Sequence, residues 1–184
     1  MCTNKNHLRK TYLDRRAAIS ARQEKDLEIF NRFSTLQTQF DFESFFIYVS
    51  MGSEVDTHLL IGNLLNEGKK VCVPRTKDGI MSVVTLHTLP KNFKVDKLGN
   101  LYEADNAQLA DFECDCAVIP LLSFDSELYR IGYGGGYYDR LLKSFNGIKI
   151  GLAYDEQHCD SFEREPHDVG LDFIVTPTRI LGRR

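Results

Sequence analysis

A chain of 184 residues and 21.1 kDa suits one domain over residues 1–184 that buries roughly 70% of the surface its unfolded form exposes, so no second domain is required for a core. A formal net charge of −3, with a pI near 6.0, excludes the global basic field that recruits nucleic acid. The five cysteines (Cys2, Cys72, Cys114, Cys116 and Cys159) include no Cys-x-x-Cys pair, and no leader, long apolar stretch or lipidation motif is visible, so the expectation is a cytoplasmic monomer with reduced thiols and no membrane association.

Helical period begins at Lys5, with Leu8, Tyr12, Arg15, Arg16 and Ile19 in phase. Lys5 and Arg9 are four apart and share a face, which on spacing alone is a solvated one. The capping box Ser20-x-x-Gln23 predicts a second helix carrying Leu27, Phe30 and Phe33. An apolar strand from Phe45 to Val49 then runs into a polar turn holding Ser50, Gly52, Ser53 and Glu54. A third helix follows, capped by Asp56 or Thr57, with Leu59, Leu60, Leu64 and Leu65 on its buried face and Gly68 at its C-terminal end. By position alone, Glu54 is a turn carboxylate.

Further strands are predicted at Lys70 to Val73, Met81 to Leu86, Ala117 to Leu121, Ile148 to Ala153 and Phe173 to Thr176. Most are continuous apolar runs, the mark of strands buried on both faces, which predicts an α/β protein with a mainly parallel sheet flanked by helices. Carboxylates gather just outside the last two strands, at Asp155, Glu156, Glu165, Asp168 and Asp172. Loops at strand ends line the ligand crevice in such sheets, and paired carboxylates beside phosphates make the oxygen shell that magnesium prefers. His167 has no partner at ligand spacing in the sequence and reads as a surface or hydrogen-bonding residue.

The densest chemistry lies in Arg130-Ile131-Gly132-Tyr133-Gly134-Gly135-Gly136-Tyr137-Tyr138-Asp139-Arg140. Glycines let backbone N–H groups crowd an anion, and helical spacing of Tyr138, Leu141 and Leu142 puts Gly136 at a helix start, so the run reads as a phosphate cradle. The dinucleotide fingerprint fails, because Tyr137 stands at its third glycine, and no Gly-Lys-Ser/Thr of a Walker A loop is present. A glycine-rich hairpin turn is the alternative for the run in isolation.

The run from Arg130 to Asp139 resembles the Arg-x-Gly-x-Gly-x-Gly-Tyr-Tyr-Asp motif of the 5-formyltetrahydrofolate cyclo-ligase family, the 5,10-methenyltetrahydrofolate synthetases. Lys5-x-x-Leu8-Arg9 resembles that family's second nucleotide-binding element, and the resemblance extends over most of the chain. It implies a three-layer Rossmann-like α/β domain and ATP bound by Lys5, Asn6, His7, Leu8 and Arg9 together with Arg130, Ile131, Gly132, Tyr133, Gly134, Gly135, Gly136, Tyr137 and Tyr138. It implies further that Val49 and Glu54, with Tyr133 to Tyr137, contact the folate, that Asp139 and Asp168 hold magnesium, and that Lys5, Arg9 and Arg130 are the catalytic cations. Tyr133, Tyr137 or Tyr138 stacks on the pterin or packs in the core. One stretch departs from the family pattern: Gly99 to Ala104 lacks the proline of the usual Gly-Ile-x-Glu-Pro loop.

The reaction so implied is ATP-driven closure of 5-formyltetrahydrofolate, with or without a polyglutamate tail, to 5,10-methenyltetrahydrofolate. The formyl oxygen attacks the γ-phosphate, nitrogen 10 closes the ring and phosphate departs, so positioning and electrostatics carry the catalysis and no side-chain nucleophile is needed. Two other readings stay open: an enzyme of related fold acting on sugar phosphates or thioesters, and a non-catalytic nucleotide- or folate-binding protein.

Overall fold

A computed structural model describes residues 5–77, 80–89, 94–95, 101–103 and 108–183. Helices α1 (Lys5–Ala17) and α2 (Arg22–Phe40) precede strand β1 (Ser44–Ile47), helix α3 (His58–Asn66) and the hairpin of β2 (Lys70–Lys77) and β3 (Ile80–Leu86). Short strands β4 (Lys94–Val95), β5 (Leu101–Glu103) and β6 (Gln108–Leu109) lead to β7 (Cys116–Ile119). A second hairpin, β8 (Ser123–Phe124) and β9 (Arg130–Ile131), is followed by α4 (Tyr137–Leu142), β10 (Ile148–Leu152), a 3₁₀ turn (Asp155–Gln157), β11 (Phe173–Val175) and β12 (Ile180–Gly182).

Eight strands form one sheet in the order β12-β11-β10-β7-β1-β2-β3-β6. The five central strands are parallel, as their apolar runs predict, while β12, β3 and β6 pair antiparallel at the edges. The β2–β3 hairpin interrupts the alternation of strands and helices. Strands β8, β9 and β12 lie where no strand is predicted, because they are two or three residues long and too short to show a period.

Alternation along the strands builds two cores. Phe45, Ile47, Val71, Val73, Cys116 and Val118 face α2 and α3 on one side. Phe46, Cys72, Ala117 and Ile119 face Leu142 of α4 and Phe124 and Leu128 of the β8–β9 hairpin on the other. This is a three-layer arrangement, and each fully buried Phe or Ile contributes on the order of 1.5–3 kcal/mol. A third, smaller core docks α1 through Tyr12 onto Leu122, Ile131 and Phe162.

Local signals need three corrections. Helix α2 starts at Arg22, with Ala21 rather than Ser20 at the cap, in a left-handed conformation (φ 53°) and without a capping side chain. Its buried face is Ile29, Phe33 and Leu36, leaving Leu27 exposed, because Arg22 and Asp26 are drawn to Tyr154 and so set the rotation of the helix. In α3, Ile61 is buried and Leu59 is exposed. Gly68 behaves as expected: at φ 76° it donates to Leu65 O while Lys69 N–H donates to Leu64 O, a Schellman closure. The proline-less stretch beginning at Gly99 lies outside the described residues except for the backbone of β5.

Candidate active site

Strand β1 pairs with β2 on one side and β7 on the other, so the chain order reverses between β1 and β7. At the carboxyl ends of parallel strands, such a reversal opens a crevice. Here it is a cleft of about 1040 Å³, lined from the β1 end by Tyr48, Val49, Met51 and Glu54. Arg130 to Asp139 line it from the β9–α4 turn, Lys5, Asn6 and Arg9 from α1, and Glu165, His167 and Asp168 from the loop before β11. The volume lies at the upper end of small-molecule sites.

The glycine turn is built on backbone that side chains disfavour. Gly134 has φ 99° and Gly136, the cap of α4, has φ 64°. Arg9 lies across this turn: its Nε donates to Gly132 O at 3.1 Å, and a Cβ on Gly134 would meet its guanidinium carbon at 3.2 Å. Lys5, at the start of the same helix, reaches the loop before β11, where Nζ donates to both carboxylate oxygens of Asp168 (2.9 and 2.6 Å) and to Glu165 (2.7 Å).

Arg130 and Asp139 bind each other. The Arg130 guanidinium is buried and donates to Asp139 Oδ1 at 2.9 Å and to Val169 O at 2.7 Å, and Val169 N–H donates to the same carboxylate oxygen at 3.2 Å. This ties the end of the glycine run to the 165–169 loop. Burial lowers the Arg130 pKa against the raising effect of Asp139, and the guanidinium stays charged, as arginine does in proteins.

On the β1 side, Gly52 (φ 57°) turns the chain so that Glu54 N–H donates to Met51 O while Glu54 Oε2 accepts from Met51 N–H at 2.8 Å. Glu54 Oε1 accepts from the Tyr133 hydroxyl at 3.0 Å. Burial pushes the Glu54 carboxyl up, and the Met51 N–H and nearby Arg16 offset part of that. Tyr133 is 54% exposed, while its hydroxyl is held between Arg16 and Glu54, and desolvation there and the Glu54 charge push it up to about 12. Among the three candidate stacking rings, Tyr138 packs against Phe46 in the core, and Tyr137 sits under the Arg140 guanidinium.

Every site position named from the sequence lines this cleft except His7 and Leu8, which are exposed and packed on the α1 core respectively. Asp139 and Asp168 border the cleft, but the tightest ligand-type cluster among the described residues is Glu165, His167 and Asp168, whose ligand atoms lie within 4.8 Å of one another. The 5-formyltetrahydrofolate cyclo-ligase family model matches residues 2–177. The chain belongs to this family, whose members are ligases.

Relatives agree along different spans. The chain is 43% identical over 75 residues to the 5-formyltetrahydrofolate cyclo-ligase of Mycoplasma genitalium, covering 40% of this chain and 45% of that protein. Against the Haemophilus influenzae protein of the same name the identity is 33% over 139 residues, 70% of this chain and 73% of the relative. The structure of Aquifex aeolicus 5,10-methenyltetrahydrofolate synthetase superimposes with a TM-score of 0.83 at 29% identity, covering 98% of this chain and 93% of that one. A 5,10-methenyltetrahydrofolate synthetase from Mycoplasma pneumoniae gives 0.76 at 26%, with 95% and 99% covered. No described helix is long and apolar enough to cross a membrane.

Sequence reasoning missed Arg16, Met51, Pro74, Thr76, Met81 and Pro120 around the site. Pro74, Thr76 and Met81 arrive on the β2–β3 hairpin, and nothing in their local pattern marks them. His167, expected as a surface or hydrogen-bonding residue, is exposed on the cleft rim with Nε2 3.9 Å from Glu165.

Proposed function

We propose that the chain catalyses ATP- and magnesium-dependent cyclisation of 5-formyltetrahydrofolate to 5,10-methenyltetrahydrofolate, releasing ADP and phosphate, as one domain of one-carbon folate metabolism. The observation that carries this is the convergence of two unlike walls on one cleft: a glycine turn with Lys5 and Arg9, suited to a polyphosphate, and a buried carboxylate, Glu54, suited to the N–H donors of a pterin.

The chemistry has a leaving-group problem, since the formyl oxygen departs poorly until it is phosphorylated. The amides around Gly134 and Gly136, free of Cβ atoms, and the Arg9 guanidinium hold the polyphosphate against the turn. Lys5 exchanges its carboxylate partners for phosphate oxygens, remaining an ammonium throughout. The carboxylates of Asp139 and Asp168 border the same cleft as the turn and would hold a hard cation such as magnesium. Magnesium bound there supplies neutralisation of the phosphoryl charge. Arg130 contributes its charge from behind Asp139. Glu54 and the backbone near Val49 orient the folate so that the formyl oxygen faces the phosphate, and the exposed Tyr133 ring offers a stacking surface.

The test is absorbance of the methenyl product together with ADP release, with each of ATP, magnesium and 5-formyltetrahydrofolate omitted in turn. One ADP per methenyl product, and neither without all three components, is expected. Product without ATP, or equal ATP hydrolysis without folate, overturns the proposal.

A further inference from the structure

Arg16 does not line the cleft, yet it is the most deeply buried cation among the described residues, 2% exposed. A guanidinium in that position requires acceptors, and three separate segments supply them: Ser53 Oγ to Nε at 3.0 Å, Leu121 O to Nη1 at 3.0 Å and the Tyr133 hydroxyl oxygen to Nη2. None of the ion pairs among the described residues includes Arg16.

The direction of the Tyr133 bond follows from chemistry alone. Arg has donors and no acceptor, so the Tyr133 oxygen accepts from Nη2, and its single proton goes to Glu54 Oε1 at 3.0 Å. The other Glu54 oxygen is held by Met51 N–H. Each end of the carboxylate is thus fixed by one donor, leaving further lone pairs for a ligand in the cleft. Without Arg16 the phenol is free to rotate and to accept instead of donate, and a carboxylate 95% removed from solvent would lose one of its two anchors.

We infer that Arg16 is a positioning residue of the substrate side, which acts through the Tyr133 hydroxyl to hold Glu54 as an acceptor facing the cleft. The inference rests on the proposed role of Glu54 toward the folate. It also gives α1 two tasks: Lys5 and Arg9 serve the glycine turn, and Arg16, about 16 Å along the helix from Lys5 and about 10 Å from Arg9, serves the opposite wall.

A double-mutant cycle of Arg16→Lys and Tyr133→Phe tests it, with calorimetric affinities for 5-formyltetrahydrofolate and, for Arg16→Lys, also for a non-hydrolysable ATP analogue. Each single variant is expected to weaken folate binding about five- to fiftyfold, Arg16→Lys to change the ATP-analogue affinity less than about twofold, and the double variant to be no worse than the weaker single one. Folate losses that multiply in the double variant, or an Arg16→Lys loss shared equally by the nucleotide, overturn it. Glu54→Gln separates this outcome from failure of the underlying reading: normal folate affinity there removes Glu54 from the substrate side, whereas a lost affinity combined with multiplying losses in the cycle overturns the positioning role alone. If Arg16→Lys does not fold, hydrogen exchange of the Arg16 side chain in ¹⁵N spectra decides. Protection present in the parent and reduced in Tyr133→Phe supports the relay, and equal exchange in both overturns it.

Discussion

Lys5 Nζ lies 2.9 and 2.6 Å from the two carboxylate oxygens of Asp168, a contact that clasps the first turn of α1 to the loop before β11. Burial opposes both charges and is outweighed in both. It pulls the Lys5 amine down, but Asp168 and Glu165 leave it above its ordinary 10.5; it pushes the Asp168 carboxyl up, but the Glu165 N–H and Lys5 leave it below its ordinary 3.8. The clasp therefore stabilises the fold in full above the unfolded carboxyl pKa and below the unfolded amine pKa. It weakens as pH falls through the depressed Asp168 value, or rises through the elevated Lys5 value.

Asp168→Asn should accordingly destabilise the protein by about 1–3 kcal/mol near neutral pH, because Lys5 keeps only the exposed Glu165 as a charged partner. The gap between parent and variant should close as pH falls well below the ordinary carboxylate range. Urea melts at neutral and acid pH measure it, and an equal gap at both would remove the ionic basis of the clasp.

Asp139→Asn has two expected effects where a pure metal ligand would have one. It should lower kcat by weakening magnesium binding, and it should lower stability by on the order of 3 kcal/mol, because Arg130, whose side chain is 4% exposed, loses its counter-charge. Thermal melts alongside kinetics check both. An unchanged melting temperature with a reduced kcat would mean that the Arg130 contact is incidental.

Two glycine variants should both cost stability, and only the first should cost nucleotide binding. Gly134→Ala forces a side chain onto φ 99° and against Arg9, a strain of about 1–3 kcal/mol, and should weaken ATP-analogue binding roughly five- to a hundredfold. Gly151→Ala places its Cβ 2.6–2.8 Å from Ile174, Leu121 and Leu171 in the core and should cost about 1–3 kcal/mol of stability. Melting curves and nucleotide titrations of both variants decide; a Gly151→Ala protein as stable as the parent would show that this core can expand.

Glu54 should show the opposite pH sign to Asp168. Its carboxyl is raised by burial, so its contribution to stability is greatest below the unfolded value of 4.5 and declines as pH rises through the higher folded value. The stability of the parent relative to Glu54→Gln should fall over that window, while folate affinity of the parent rises with ionisation. Parallel melts and titrations across the window test this, and a flat difference would mean that Glu54 is not desolvated.

Features carried by one continuous segment were legible in the sequence. Hydrophobic runs such as Phe45 to Ile47 and Cys116 to Ile119 specify strands buried on both faces, and Gly68 specifies a helix end. The glycine run and Lys5-x-x-Leu8-Arg9 are dense enough in unusual residue types to identify the family and one wall of its cleft. What only the tertiary structure decided is how separated groups share charge. Asp139 is committed to Arg130, Lys5 to Asp168 and Glu165, and Arg16 to Tyr133, contacts that join residues up to 163 positions apart. An amphipathic helix pattern records which face is apolar, but not whether a charge such as Arg16 beside that face reaches water or a buried phenol. Its partners are set by how α1 docks across β8 and β9, a result of long-range packing that no local period encodes.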